Sequence, residues 1–103
     1  MEGTEMLSFQ IIATVGTARS MYIEAIDLAS EGQYDKAKAM IKEGQEIFNE
    51  GHALHHELLT KYANGELPTT DILLVHAEDQ LMSAEAFCIL AEKFIALYEK
   101  INK

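Results

Sequence analysis

Apolar residues recur every three or four positions through three long segments, which is the spacing of one face of an α-helix. These segments cover about residues 4–31, 34–64 and 70–102. The turn-forming stretches "SEGQYD" and "ANGELPTTD" separate them, and no strand-like alternation of polar and apolar residues competes. Three helices joined by short turns must run up, down and up. The sequence therefore predicts one all-α domain over residues 1–103, an antiparallel three-helix bundle.

The first two segments each carry one apolar stripe that is expected to face the core. Gly32 and Gly65 follow these segments, where a left-handed glycine commonly ends a helix. Gly44 and Gly51 fall on the second stripe, although each costs about 1 kcal/mol relative to alanine in a helix. We therefore expect a neighbouring helix to approach closely at both. The two stripes are Leu7, Ile11, Val15, Ala18, Tyr22, Ala25 and Ala29, and Tyr34, Ala37, Ile41, Gly44, Phe48, Gly51, His55, Leu58 and Tyr62.

The third segment is apolar around most of its circumference. Its helix is expected to begin after Pro68, with Thr69 or Thr70 as N-cap and Asp71 in the first turn. A stripe of glutamates at seven-residue spacing is predicted to face solvent: Glu78, Glu85, Glu92 and Glu99. Almost every other residue after Ser83 is apolar, and two partner helices would hardly cover so wide a surface. We therefore expect copies of the chain to associate through this helix with cyclic symmetry.

A polar cluster interrupts this apolar helix opposite the glutamates. It consists of His76, Asp79, Gln80 and Ser83, and its face continues as Phe87, Leu90, Phe94, Leu97 and Ile101, which the helical wheel places inside. Buried polar groups require partners, and an unpaired buried charge costs more. The cluster is therefore either a functional site or a polar plug in the core, and the spacing alone does not choose between them.

The charge balance narrows the classes of partner. Among 103 residues, eight are basic and 17 acidic, giving a formal net charge of −9, which disfavours nucleic acid and anionic membranes. The acidic N-terminus does not resemble a signal peptide, and no apolar run approaches the roughly 20 residues of a membrane span. Because the single Cys88 cannot form an intramolecular disulfide, the composition fits a reducing cytosol. A cytoplasmic protein is expected.

Two chemistries fit the histidines. A neutral imidazole at His76 is a good nucleophile and can hold a phosphoryl group. Alternatively, His52 and His56, four residues apart, could bind a structural metal together with His76, making the chain a helical binding module. The H-E-x-x-H signature is absent, because Ala53 follows His52, and no Glu-x-x-His occurs in the sequence.

The stretch "LVHAEDQLM" resembles the third-helix motif H-[AG]-Q-D-H-L-M of the lactose/cellobiose-type enzyme IIA of the bacterial phosphoenolpyruvate-dependent sugar phosphotransferase system. The stretches "GTARS", "GQYDKAKAMIKEG" and "NEGHALHHELL" are similar to other parts of the same family, so the resemblance covers nearly the whole chain. It implies a three-helix chain that assembles as a homotrimer, in agreement with the wide apolar surface of the third helix.

The resemblance also implies a function and a set of site residues. His76 would accept a phosphoryl group on Nε2 from the histidine-containing phosphocarrier protein, the donor, and pass it to a cysteine of enzyme IIB, the acceptor. The chain would thus be a phosphotransferase component for uptake of a β-disaccharide, and the "HA" at 76–77 favours cellobiose or chitobiose over lactose. Asp79 would meet its two symmetry copies around one metal ion per trimer, expected to be Mg²⁺.

The chain departs from the family pattern at four positions. Glu78 replaces the usual glutamine and Gln80 the usual second histidine, while His55 stands where glutamine is frequent and Gly51 where alanine is. Glu78 is expected to matter little on a solvent face. Gln80 can donate a hydrogen bond to a phosphoryl oxygen but cannot become cationic, and His55 is expected to compensate from the second helix.

Overall fold

The computed structural model describes residues 3–66 and 72–102. Within those residues the chain forms three helices, α1 (Gly3–Ser30), α2 (Tyr34–Ala63) and α3 (Ile72–Ile101), in a bundle measuring 55 × 18 × 16 Å. Their bounds agree with the predicted ones to within one residue, apart from the start of α3. The predicted N-cap at Thr69 or Thr70 and the first-turn Asp71 lie outside the described residues. None of the three helices, over the residues described, combines the length and apolar character that a bilayer span requires.

Glycines end α1 and α2 in the way the sequence predicts. Gly32 has a φ of +81° and Gly65 a φ of +71°, a left-handed conformation that only glycine adopts without strain. After α1, the backbone N–H of Gly32 donates to the carbonyl of Ala29, and that of Gln33 donates to the carbonyl of Leu28. This pair of bonds satisfies carbonyls that the end of the helix leaves without partners.

Close approach between α1 and α2 depends on the two glycines of the α2 stripe, as predicted. A Cβ at Gly44 would lie 2.7 Å from Cε1 of Tyr22, and a Cβ at Gly51 would lie 2.6 Å from Cγ1 of Val15. Because residue numbers rise along α1 as they fall along α2 at these contacts, the two helices are antiparallel. Neither position has room for a methyl group without movement of its neighbour.

Helix α3 is antiparallel to α2. Lys38 pairs with Glu99 at one end of their boundary, and His55 contacts Glu78 nearer the other end. Since α2 is antiparallel to both neighbours, α1 and α3 run in the same direction. The up-down-up topology predicted from the sequence is therefore confirmed over the described residues.

The core lies along α1, which contacts both other helices more extensively than α2 and α3 contact each other. Every residue of the predicted α1 stripe is buried. On α2 the predicted stripe is buried or half-buried with one exception: Tyr62 is 68% exposed in the last turn, so its assignment to the core is wrong. The alanines of α1 let its neighbours approach closely, since they add little bulk between the backbones.

Helix α3 turns a different face inward from the one that the helical wheel placed inside. Its buried residues are Ala77, Leu81, Ala84, Ala91 and Ile95. The apolar residues expected inside remain largely outside: Leu90, Phe94, Leu97 and Ile101 are 41–65% exposed in the single chain. The wheel was wrong here because nearly all of the helix is apolar, and small residues, three of the five that are buried, predominate on the side where α1 and α2 pack.

The glutamate stripe of α3 is not a purely solvated face, contrary to expectation. Glu78 and Glu99 are half-buried against α2, where they contact His55 and Lys38. Glu92 is exposed but accepts a 3.4 Å hydrogen bond from Nε2 of Gln45. The seven-residue spacing of the glutamates therefore follows the α2–α3 boundary along the bundle.

Candidate functional site

His76 lies in the second turn of α3 and is exposed. Two neighbouring apolar side chains are exposed with it, Ile72 at 88% and Val75 at 54%. An imidazole in this setting is accessible to another macromolecule and borders an apolar surface on which that macromolecule could dock. The structure thus places His76 where another macromolecule can reach it.

His76 faces away from α2. Glu78 contacts His55 of α2, and successive residues of an α-helix are about 100° apart. His76, two positions earlier, therefore projects about 160° around the axis from Glu78. It belongs to what we call the outward stripe, a row of residues within a narrow arc of α3: Ile72, His76, Asp79, Ser83, Leu90, Phe94, Leu97 and Ile101.

The expectation that the polar cluster is buried is wrong for the single chain. His76 and Asp79 are exposed, whereas Gln80 and Ser83 are half-buried. His76, Asp79 and Ser83 lie on the outward stripe together with large exposed apolar residues, and Gln80 lies at its margin. Only another molecule covering this stripe would bury it.

His55 does not support Gln80, contrary to expectation. The Nε2 of His55 lies 2.5 Å from Oε1 of Glu78, and only 12% of its side chain is exposed. Gln80 is two positions beyond Glu78 and so projects toward the opposite side of α3. Gln80 does follow His76 by one turn, which places the two side chains on neighbouring parts of the helix surface.

The histidines do not converge on a metal, so the alternative site of His52, His56 and His76 receives no support. His52 is exposed and stacks on Phe48, with ring centroids 6.2 Å apart and an interplanar angle of 24°. His76 points away from α2, which carries both other residues. Within residues 3–66 and 72–102, no group of three or more His, Cys, Asp or Glu side chains is arranged to hold a metal.

Asp79 could supply only one of the several ligands that a magnesium site needs. Its carboxylate is an oxygen ligand of the kind that Mg²⁺ prefers, and it is exposed on the outward stripe. Among residues 3–66 and 72–102, it belongs to no group of three or more His, Cys, Asp or Glu side chains that could hold a metal. Further copies of Asp79 from an assembly would have to complete such a site.

A contact that the sequence analysis missed places a cation beside the outward stripe. Nη1 of Arg19 in α1 donates a 3.4 Å hydrogen bond to Oγ of Ser83, and the guanidinium lies 5.8 Å from the ring centroid of Phe87. Arg19 is the only arginine of the chain and is half-buried. Its isolation in the sequence was a signal, but only the packing of α1 on α3 shows where the charge lies.

Two further titratable groups, Tyr22 and Cys88, lie at the middle of the bundle, away from His76. Burial raises the pKa of the Tyr22 phenol far above its usual range, and the nearby Cys88 adds to the effect. Burial also raises the pKa of the Cys88 thiol, partly offset by a hydrogen bond that Gln45 donates to its sulfur. Both groups therefore stay neutral near pH 7, and a neutral thiol is a weak nucleophile.

The fold and the site together define a class of protein. A helical bundle carries an exposed imidazole, that of His76, beside exposed apolar side chains. Such a surface is open to another macromolecule.

Comparisons with known proteins are more specific. Residues 6–99 match the family model of the "PTS system, Lactose/Cellobiose specific IIA subunit". The chain is 36% identical over 102 residues to the lichenan-specific phosphotransferase enzyme IIA component of Bacillus subtilis, covering 99% of this chain and 93% of that protein. The chain belongs to the lactose/cellobiose-specific IIA family of the sugar phosphotransferase system. It is therefore a phosphotransferase component, as the resemblance of its motifs predicted.

Two solved structures extend the comparison to the fold. The crystal structure of the cellobiose-specific enzyme IIA from Bacillus anthracis has a TM-score of 0.95 at 37% identity, covering 99% of this chain and 94% of that one. The IIA(Chitobiose) chain in its complex with HPr from Escherichia coli has a TM-score of 0.86 at 29% identity, with all of both chains covered. The all-α, three-helix fold is thus shared with IIA proteins.

Proposed function

We propose that His76 carries the phosphoryl group in this IIA component. HPr, the histidine-containing phosphocarrier protein, would be the donor. As the P–N bond of its phosphohistidine breaks, a new P–N bond forms to Nε2 of a neutral His76, and the donor imidazole leaves with the electron pair. A cysteine thiolate of enzyme IIB then attacks the same phosphorus, forming a P–S bond and restoring His76.

The observation that carries this proposal is the exposure of His76 on a face turned away from α2. Both transfers need the imidazole to reach a partner protein in line with the leaving atom, and a histidine enclosed by its own bundle could not do so. Phosphoryl transfer passes through a loose transition state in which positioning matters more than covalent assistance. The structural similarity to a IIA that was solved with HPr supports the choice of donor.

Gln80 is proposed to assist from one turn beyond His76. Its side-chain amide can donate a hydrogen bond to a phosphoryl oxygen while remaining neutral. A histidine at the same position, as in the usual family motif, could add a positive charge. The present chain therefore stabilises the phosphorylated state with less positive charge from this position.

The assembly is proposed to be a homotrimer in which Asp79 and the apolar end of the outward stripe face the three-fold axis, while His76 lies at the subunit boundary and stays reachable from outside. Leu90, Phe94, Leu97 and Ile101 form a continuous exposed apolar row along α3, and such rows usually mark an interface. Three copies packed through this row would bring Asp79 of each chain together. Because three close carboxylates repel one another, a shared divalent cation, proposed to be Mg²⁺, would neutralise them.

The proposed role is cytoplasmic delivery of phosphoryl groups for uptake of a β-disaccharide. Cellobiose or chitobiose is favoured over lactose, since the "HA" at 76–77 has the form of the cellobiose and chitobiose branch. The matched IIA proteins named for lichenan and cellobiose are consistent with this choice. The sugar itself never meets His76 in this scheme, because IIB and the membrane enzyme IIC handle it.

The direct test is phosphorylation from phosphoenolpyruvate through enzyme I and HPr, followed by intact-protein mass spectrometry. We expect one acid-labile phosphoryl group on the wild type and none on His76→Ala. His52→Ala and His56→Ala are matched controls, since both remove exposed histidines from α2, and both should be phosphorylated normally. Phosphorylation of His76→Ala would refute the assignment of the carrier residue.

A further inference from the structure

A short polar contact joins α2 to α3 only two residues from His76. The Nε2 of His55 lies 2.5 Å from Oε1 of Glu78, and either a charged or a neutral imidazole can donate from that nitrogen. With only 12% of the His55 side chain exposed, this nitrogen loses most of its contact with water on folding. Pairing with the carboxylate compensates that loss and is strengthened by the charge of Glu78.

Near the beginning of α3, Leu74 and Leu81 pack into a core cluster that includes Leu58 of α2. Ile72 and Val75 are exposed, and the fully buried Ala77 has only a small side chain. The α2–α3 boundary is also the thinnest of the three helix contacts. A short, directional bond from Glu78 to a nearly buried partner adds a specific contact at this boundary, one that resists rotation of α3 about its own axis.

Rotation of α3 near Glu78 would move the imidazole of His76 directly. With side chains included, an α-helix is about 10–12 Å wide, so a rotation of about 10° shifts a surface atom by roughly 1 Å. Displacements of this size can reduce a position-dependent transfer by up to about 10²-fold. The two side chains project to nearly opposite sides of α3, so the bond to His55 can hold His76 in place without blocking it.

We propose that His55 and Glu78 are positioning residues, and that their bond across the α2–α3 boundary fixes the orientation of His76 for phosphoryl transfer. The inference rests on the proposed function of His76 as carrier. Neither residue contacts the phosphoryl group in this scheme. His55 and Glu78 both stand where the family motifs usually have glutamine, so two glutamines form the natural replacement pair.

The chain offers a matched control at the far end of the same boundary. Lys38 and Glu99 form an ion pair 3.0 Å long between α2 and α3. Glu99 follows Glu78 by 21 positions, which is about 32 Å along the helix. Glu99→Gln therefore removes another ion pair between the same helices, with the more exposed partner Lys38, without touching the turns that carry His76.

The experiment measures transfer from phosphorylated HPr in the wild type, Glu78→Gln, His55→Gln, the double glutamine variant and Glu99→Gln. For each single change at the pair we expect kcat to fall about three- to tenfold with KM for phosphorylated HPr unchanged, because orientation and not docking is affected. Glu99→Gln should change neither quantity. The double variant should recover most of kcat, since two amides can form a hydrogen bond across the boundary.

Several outcomes would overturn the positioning role. One is wild-type kcat in Glu78→Gln, another is an equal loss in Glu99→Gln, and a third is failure of the double glutamine variant to recover. Nitrogen-15 NMR shifts of the His76 imidazole give a readout independent of transfer and should move in Glu78→Gln but not in Glu99→Gln. If the wild type accepts no phosphoryl group, the proposed function fails, and these shifts still decide whether Glu78 controls the orientation of His76.

Discussion

Replacing Gly51 with alanine should weaken the packing of α1 on α2. The added Cβ would lie 2.6 Å from Cγ1 of Val15, whereas carbon atoms in favourable contact are about 3.5–4.0 Å apart. Val15 is fully buried, and its β-branched side chain has few alternative rotamers. The two helices would therefore have to separate by roughly 1 Å at this point.

The expected magnitude combines two opposing effects. Alanine is favoured over glycine inside a helix by about 1 kcal/mol, while overpacking a buried contact costs about 1–3 kcal/mol. A contact this short belongs near the upper end of the cost. We expect the free energy of unfolding to fall by about 1–2 kcal/mol, and Gly44→Ala, which would crowd the ring of Tyr22, should behave similarly.

Gly16→Ala provides the control, because Gly16 lies inside α1 and a Cβ there would meet nothing within 4 Å. It should raise the free energy of unfolding by about 0.5–1 kcal/mol. Urea titrations followed by far-ultraviolet circular dichroism should use one chain concentration, since assembly contributes to apparent stability. If Gly51→Ala were as stabilising as Gly16→Ala, close approach of the helices would not constrain this position.

Three further predictions address the site, the outward stripe and the buried middle of the bundle. Gln80→His should increase the rate of phosphoryl transfer from HPr by about two- to tenfold, since electrostatic assistance is modest for a group that stays partly in contact with water. An unchanged rate in a rapid-quench assay would argue against a role for charge at this position. Phe94→Asp should dissociate the assembly to single chains in sedimentation velocity, because it places a charge in the proposed apolar interface; an intact trimer would contradict that interface. The folded protein should lose stability as the pH rises above about 9, the ordinary pKa of a thiol, because burial raises the pKa values of Cys88 and Tyr22 and the unfolded chain therefore releases these protons first. Cys88→Ala should make this decline in the free energy of unfolding shallower, and an unchanged slope between pH 8 and pH 10 would exclude Cys88 as a contributor.

The sequence identified the candidate site through a motif, but it did not show where in the fold the site lies. The motif around His76 selected the residue, and the structure places it at an accessible surface. The pairing of His55 with Glu78 was not predicted, although both residues depart from the usual glutamine. Two departures from a family motif indicate a contact only when the helices that carry the two residues are known to meet. Here the residues lie on α2 and α3, and only the structure shows that these helices meet at this point.

The sequence by itself determined the helices, their ends and two of the three inward faces. Periodic apolar residues on α1 and α2 stand out against polar neighbours, and the φ values of Gly32 and Gly65 are those that a glycine after a helix predicts. These features depend on residues close in sequence. Local pattern was therefore sufficient to define them.

Only the tertiary structure decided which side of α3 packs against α1 and α2. The helix is apolar around most of its surface, so periodicity alone gives no unique inward face. The bundle buries the side marked by Ala77, Ala84 and Ala91, because small side chains allow the close approach that a thin bundle needs. The larger apolar residues are left on the outward stripe beside His76, and the glutamates fall along the boundary with α2.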